Sequence, residues 1–155
     1  VGQMLIIILM LIGGSPGSTA GGMKTTTLAV LTATAVSVFR RNENPELFKR
    51  RIAPETVANA ASILMMYLSL CLTGAFLISR IEELPMMACM FETASAVGTV
   101  GLSFGITPGL GSISRIILII LMYLGRVGGL TLIYAALSGH LIRFGKYPLE
   151  KITLG

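Results

Sequence analysis

An all-α membrane fold is what this sequence predicts: a helix, a re-entrant pore helix and a second helix, preceded by a broken inner helix. Three observations lead there. The chain of 155 residues is 54% hydrophobic and only 12% charged, with a mean hydropathy of +0.83, whereas a soluble domain carries about 25% charged residues. Its apolar residues gather into runs long enough to cross hydrocarbon. Two of those runs are interrupted internally by glycine clusters, and backbone of that kind survives at membrane depth only when buried in protein or lining a water-filled cavity.

The elements follow in order. Met4 to Ile12 is unbroken apolar sequence, and the apolar pattern resumes from Thr25 to Phe39. Each half is too short to cross about 30 Å of hydrocarbon, but together they suffice. Between them, residues 13–22 hold five glycines and Pro16. A second span runs from Val57 to Ile78, with Pro54 and Glu55 ahead of it as a helix start. A third runs from about Ile113 to Ile142 and is interrupted at Gly125-Arg126-Val127-Gly128-Gly129. Between the second and third lies Pro85 to Val97, about a dozen residues, which cannot cross. It reads as a half-helix that starts at Pro85, enters the membrane and ends at Gly98. Phe104 to Gly111 then return the chain to the side it came from.

Charge sets the orientation. Arg40, Arg41, Lys49, Arg50 and Arg51 lie between the first and second spans, and Arg143, Lys146 and Lys151 follow the third; only Arg80 and Arg115 flank the half-helix. Eight against two places the first set in the cytoplasm, so the half-helix enters from outside and the C-terminus is cytoplasmic. The net charge of +5 does not point to nucleic acid, because the basic residues border apolar spans and no aromatic-basic patch accompanies them. Cys71 and Cys89 sit in apolar surroundings and read as buried thiols. No charged region precedes the first apolar run, so it does not read as a signal peptide, and the chain is expected to be the C-terminal piece of something longer.

The candidate functional residues lie at the breaks. Gly98, Thr99, Val100, Gly101 and Leu102 follow the half-helix, and Thr99-Val100-Gly101 resembles the filter signature of potassium channels. Their backbone carbonyls could coordinate a dehydrated cation, with the negative end of the half-helix dipole behind them. A tight turn that only packs would use the same residues; the half-helix and the flanking spans favour the filter. One such unit cannot enclose a pore. Gly13, Gly14, Ser15, Gly17, Ser18, Thr19, Ala20, Gly21 and Gly22, with Lys24 after them, form the second candidate: a flexible intramembrane loop that blocks or opens the path. A kink at Gly and Pro is the simpler reading, but a single kink does not need five glycines. A nucleotide phosphate loop is the other rival, yet Met23 stands where that motif needs Gly before Lys, and the sequence has no Asp to hold magnesium.

Arg126 interrupts the third span at mid-depth, where an arginine costs about 2.5–3.5 kcal/mol on insertion scales. It is expected to face the permeation path as a positive barrier and to contact carbonyls of the Gly-rich loop, with snorkelling to an interface as the alternative. Glu92, inside the half-helix, is expected to support the filter by accepting bonds from backbone amides of a neighbouring turn. Glu82 and Glu83 stand at the outer mouth, as a cation-concentrating charge or as a solvated cap. His140 reads as an interfacial residue, and the methionines read as packing. No nucleophile–base or paired-carboxylate arrangement stands out, so no enzymatic chemistry is expected.

Three segments, in order, carry a family resemblance. Ile12 to Thr27 resembles the broken inner helix of the third repeat in the Trk/Ktr/HKT potassium transporters. Phe91 to Ser103 resembles their fourth pore helix and filter, and Leu124 to Thr131 their last inner helix with its arginine. Tyr147 to Gly155 is similar to the C-terminal end of the Ktr-type membrane subunit. The family often has Pro where Gly129 stands. The resemblance implies potassium uptake across the bacterial plasma membrane by a multi-pass subunit with four helix–pore–helix repeats around one pore. Gly101 would be the fourth repeat's filter glycine, with K+ at the filter carbonyls and Na+ as a candidate coupling ion. The Gly-rich loop would be the gate, with Arg126 beside it. The implied partners are membrane lipid, the N-terminal repeats of the same polypeptide, a second copy in a homodimer and a cytoplasmic nucleotide-binding regulatory subunit. The chain then divides into the third-repeat inner helix with its gate loop (1–39), a cytoplasmic basic loop (40–55), the fourth repeat (56–142) and a cytoplasmic tail (143–155). A non-pore scaffold subunit and a nucleotide-hydrolysing subunit are the competing readings.

Overall fold

A computed structural model describes residues 2–41, 46–47 and 50–127. The order is α1 (Gly2–Ile12), α2 (Thr25–Phe39), β1 (Glu46–Leu47), β2 (Arg50–Arg51), α3 (Pro54–Glu82), α4 (Met86–Gly98), one 3-10 turn (Thr107–Gly109) and α5 (Ser112–Val127). Among the described residues the regular elements are helices except for the β1–β2 ladder, in which Glu46 pairs with Arg51 and Leu47 with Arg50. That ladder is one short hairpin in the basic loop of an otherwise helical fold.

α3 is the long element. Pro54 opens it, Arg80 stands in its last turn, and Glu83 closes it in a left-handed conformation. Its 29 residues span about 43 Å at 1.5 Å per residue, more than a bilayer core requires. Among the described residues it is the single helix long and apolar enough to cross a membrane. α4 has 13 residues, which cover about 20 Å. It begins after Pro85, where a missing N–H costs nothing.

α4 is the centre of the structure, with α1, α3 and α5 packed around it. Every residue from Phe91 to Gly98 is buried. One apolar cluster gathers Tyr67, Ile78, Cys89, Val97, Leu118 and Leu121, from α3, α4 and α5. A second joins Ile7 and Met10 of α1 to Cys71, Phe91 and Ala94. The outer faces stay apolar: Ile113, Ile116, Ile119 and Tyr123 of α5 are exposed, as are Met65 and Phe76 of α3. A soluble protein hides such a stripe, whereas hydrocarbon solvates it. Polar groups inside are satisfied; among the described residues no buried side-chain nitrogen or oxygen lacks a hydrogen-bond partner.

Candidate functional site

Thr99 closes α4. Its N–H donates to the Ala96 carbonyl (3.1 Å) and the Val100 N–H to the Ser95 carbonyl (2.9 Å), the paired bonds of a Schellman cap. The residue after the cap carbonyl is left-handed in that motif and is usually glycine. Here it is Thr99, at φ 52°, ψ 38°, an unfavourable conformation for a β-branched side chain. Gly101 follows at φ +83°, open to glycine without cost. Gly98 is buried, Thr99 half-buried, and Val100, Gly101 and Leu102 are exposed. The turn therefore shows its backbone on an open face, between two hollows. One, of about 550 Å³, is lined by Glu92, Thr99, Gly101, Thr107, Tyr123 and Arg126 among others. The other, of about 520 Å³, is lined by Gly98, Val100 and Leu102 together with Met10, Gly13 and Ala20.

Glu92 braces the return segment. One carboxylate oxygen accepts from the Ser103 hydroxyl (2.7 Å) and the Phe104 N–H (2.9 Å). The other accepts from the Thr107 hydroxyl (2.8 Å). The Phe104 ring stands edge-on to Phe91, centroids 4.5 Å apart. α4 and the strand of chain leaving the turn are thus fixed together 11 to 15 residues apart.

The Gly-rich segment is a side loop with its ends drawn together. The Met23 N–H donates to the Leu11 carbonyl and the Thr25 N–H to the Gly14 carbonyl, both at 3.2 Å. Ser15 to Ala20 form an exposed tip; Gly21, Gly22 and Met23 form a buried root. The root rests on two elements. The Gly21 N–H donates to Thr99 Oγ1 at 2.8 Å, and the Gly22 N–H to the Gly125 carbonyl at 3.3 Å. The Gly125 carbonyl also accepts from the buried Tyr67 hydroxyl, at 3.3 Å. α5 crosses α4 at Gly125, where any Cβ would overlap the Val97 carbonyl.

The two cations of this region differ from expectation. Lys24, not Arg126, holds the loop carbonyls: its ammonium donates to Ala20 O at 2.7 Å and to Ser18 O at 3.2 Å. Arg126 is exposed and lines the larger hollow on the Glu92 side of the turn, and among the described residues it makes no hydrogen bond to the loop. It lies in the last turn of α5, next to the residue whose carbonyl anchors Gly22. Gly128, Gly129, His140 and the C-terminal segment fall outside the described residues.

Glu82 carries a role that the sequence reading did not assign. It accepts from the Gly111 N–H (2.8 Å) and the Ser114 hydroxyl (2.6 Å), so it caps the N-terminus of α5, where a negative charge is favoured. Its spacing from Gly111 is 29 residues, which no local motif reveals. Among the described residues no group of three or more His, Cys, Asp or Glu side chains could hold a metal ion.

Residues 1–141 match the TrkH family, described as a cation transport protein. The chain is 40% identical over 160 residues to the potassium/sodium uptake protein NtpJ of Enterococcus hirae, covering 99% of the chain and 36% of that relative. It is 33% identical over 150 residues to the Ktr system potassium uptake protein D of Bacillus subtilis, 97% of the chain and 33% of the relative. Against the Ktr system potassium uptake protein B of Vibrio alginolyticus it is 36% identical over 154 residues, 98% and 33% respectively. The chain spans about a third of the length of these curated relatives.

Proposed function

The chain belongs to the TrkH cation transport family, and from that premise we propose that it supplies one quarter of an ion filter, with the gate beneath it, to a potassium-uptake subunit of the plasma membrane. The observation that carries this reading is the turn Gly98–Leu102. It ends a buried half-helix too short to cross, it is exposed from Val100 to Leu102, and Glu92 ties the segment that leaves it back to that half-helix. A backbone turn fixed in this way can exchange its carbonyls for a cation's water shell. A single turn gives one side of such a ring, so the other three come from upstream repeats of the same polypeptide.

In this reading K+ passes the carbonyls of Gly98, Thr99, Val100, Gly101 and Leu102, and Na+ is a coupling ion. The Gly13–Gly22 loop, with Lys24, closes the path below the turn. Arg126 sets a positive barrier in the adjoining hollow. α1, the loop and α2 make up the inner helix of the third repeat, α3 to α5 and beyond make up the fourth, and the basic loop and tail face the cytoplasm. The assembly is a homodimer served by a cytoplasmic nucleotide-binding subunit, and the transport step makes and breaks no covalent bond.

The test uses the full-length transporter in cells lacking other potassium uptake. Gly101→Asp is expected to abolish potassium uptake while the protein still reaches the membrane. Uptake at the normal rate would favour a scaffold role instead. Removal of part of residues 13–22 is expected to raise potassium flux; unchanged flux would remove the gate from the reading.

A further inference from the structure

We infer that the Thr99 hydroxyl couples the Gly-rich loop to the filter turn, so that the loop cannot leave its seat without loosening the turn. This rests on the filter and gate reading above and adds a regulatory link between the two. Thr99 would then act twice, through its carbonyl toward the ion and through its side chain as a positioning residue.

The argument starts from strain. Three described residues other than glycine take positive φ, namely Arg41, Glu83 and Thr99, and Thr99 alone is β-branched. Such a conformation persists only where the surroundings over-determine it. The Schellman bonds fix its backbone from the α4 side. From the other side the restraint is the Gly21 N–H on Oγ1 at 2.8 Å, across 78 residues of sequence.

The seat is close-fitting. A Cβ on Gly21 would lie 2.7 Å from both Thr99 Cγ2 and Thr99 Oγ1, and one on Gly22 would lie 3.3 Å from Gly98 Cα. The root of the loop therefore lies flush against the first two residues of the turn. Gly22 is tied in addition to the Gly125 carbonyl of α5. The tip, Ser15–Ala20, is exposed and is held by Lys24 at the Ser18 and Ala20 carbonyls, not by the filter turn. Displacing the root must break the Gly21–Thr99 bond, leaving a strained threonine held from one side. The carbonyls of Thr99 and Val100 then lose their fixed placement, and both the size of the carbonyl cage and the number of carbonyls that reach the ion, the properties on which K+/Na+ selectivity turns, change with it. An open loop thus brings a less selective filter.

The experiment measures initial uptake of potassium and sodium by the full-length transporter in proteoliposomes. Thr99→Val keeps the side chain's shape and β-branching and removes the hydroxyl on which the Gly21 N–H donates. It is expected to shift the potassium-to-sodium uptake ratio toward sodium by about fivefold, the equivalent of one buried hydrogen bond. Thr99→Ser, which keeps the hydroxyl, should recover most of that ratio. In a Gly21→Ala background, where the loop is already pushed off its seat, Thr99→Val should add little. A parental ratio in Thr99→Val overturns the coupling, as does an equal loss in Thr99→Ser or full additivity with Gly21→Ala. If Thr99→Val does not accumulate, Gly21→Ala alone and combined with Thr99→Ser decide the matter. The Gly21→Ala methyl strikes both Cγ2 and Oγ1 of Thr99, so that variant should shift the ratio toward sodium by itself, and Thr99→Ser, which still presents its oxygen to the methyl, should leave it shifted; a parental ratio in Gly21→Ala overturns the coupling. Normal transport by Gly101→Asp would instead show that the filter reading itself had failed.

Discussion

Lys24 sits just before α2, where a cation meets the positive end of the helix dipole. That placement is unfavourable by a few tenths of a kcal/mol to about 1 kcal/mol, and two charge-assisted bonds to loop carbonyls offset it. Because the ammonium is partly exposed, their net worth is about 1 kcal/mol rather than the full value of buried bonds. Lys24→Gln is therefore expected to loosen the loop and raise potassium uptake of the full-length transporter a few-fold, read as initial rate against membrane abundance. A rate equal to the parent would mean that the loop is held by its buried root alone. Glu92 presents the opposite case, a buried carboxylate with three donors and both oxygens in use. Glu92→Gln keeps an oxygen for Ser103 and Phe104 but sets an NH2 against the Thr107 hydroxyl, which must reverse to accept, and it exchanges charge-assisted bonds for neutral ones, at a cost of about 1–2 kcal/mol. A lowered melting temperature of the detergent-solubilised transporter is expected, and an unchanged one would show that the brace carries no load.

At the scale of elements, the crossing of α4 and α5 decides how closely the half-helix is held. Gly125→Ala would force its methyl onto the Val97 carbonyl. Backbone cannot rotate away as a side chain can, so the helices must part at a cost of about 1–3 kcal/mol or more. Gly109→Ala is the matched control, since a Cβ there meets nothing within 4 Å and the change is expected to stay within about 0.5 kcal/mol. Thermal unfolding of both variants in detergent checks the contrast; equal melting temperatures would contradict it. Helix limits were largely legible in the sequence, because Pro54, Pro85 and the Gly13–Gly22 cluster act on their own neighbourhoods. The Pro85 start and the short length of α4 needed no tertiary information. What stayed hidden was long-range: Glu82 on the start of α5 and Gly21 on Thr99. The second depends on the loop folding back beside α4, which neither hydropathy nor spacing encodes. The β1–β2 ladder was missed because two residues a side leave no alternation to read.

For the molecule as a whole, the apolar outer faces of α3 and α5 set the solvent. The segment expressed alone is expected to fractionate with membranes and to resist alkaline carbonate extraction; recovery in the soluble fraction would contradict this. Reconstituted alone, it presents one filter turn, and one turn cannot surround an ion. Its liposomes are expected to take up rubidium no faster than empty ones, while liposomes of the full-length transporter do; uptake by the segment would mean that copies of it assemble a pore between themselves.

That α3 alone among the described helices is long enough to cross has a consequence for biogenesis. α3 leaves the ribosome before α4 and α5, and it can partition into the bilayer unaided. α4 cannot: Glu92 is buried and takes its hydrogen bonds from later sequence, and in lipid an unsatisfied carboxyl group would be expensive. The donors for Glu92 are Ser103, Phe104 and Thr107, and the stretch that seats α4 reaches to Gly125. α4 must therefore wait, at the interface or within the insertion machinery, until some 27 further residues have been synthesised. α3 serves meanwhile as the anchor beside which the half-helix is delivered, so defects in the α4–α5 crossing should appear first as failed insertion and degradation during synthesis.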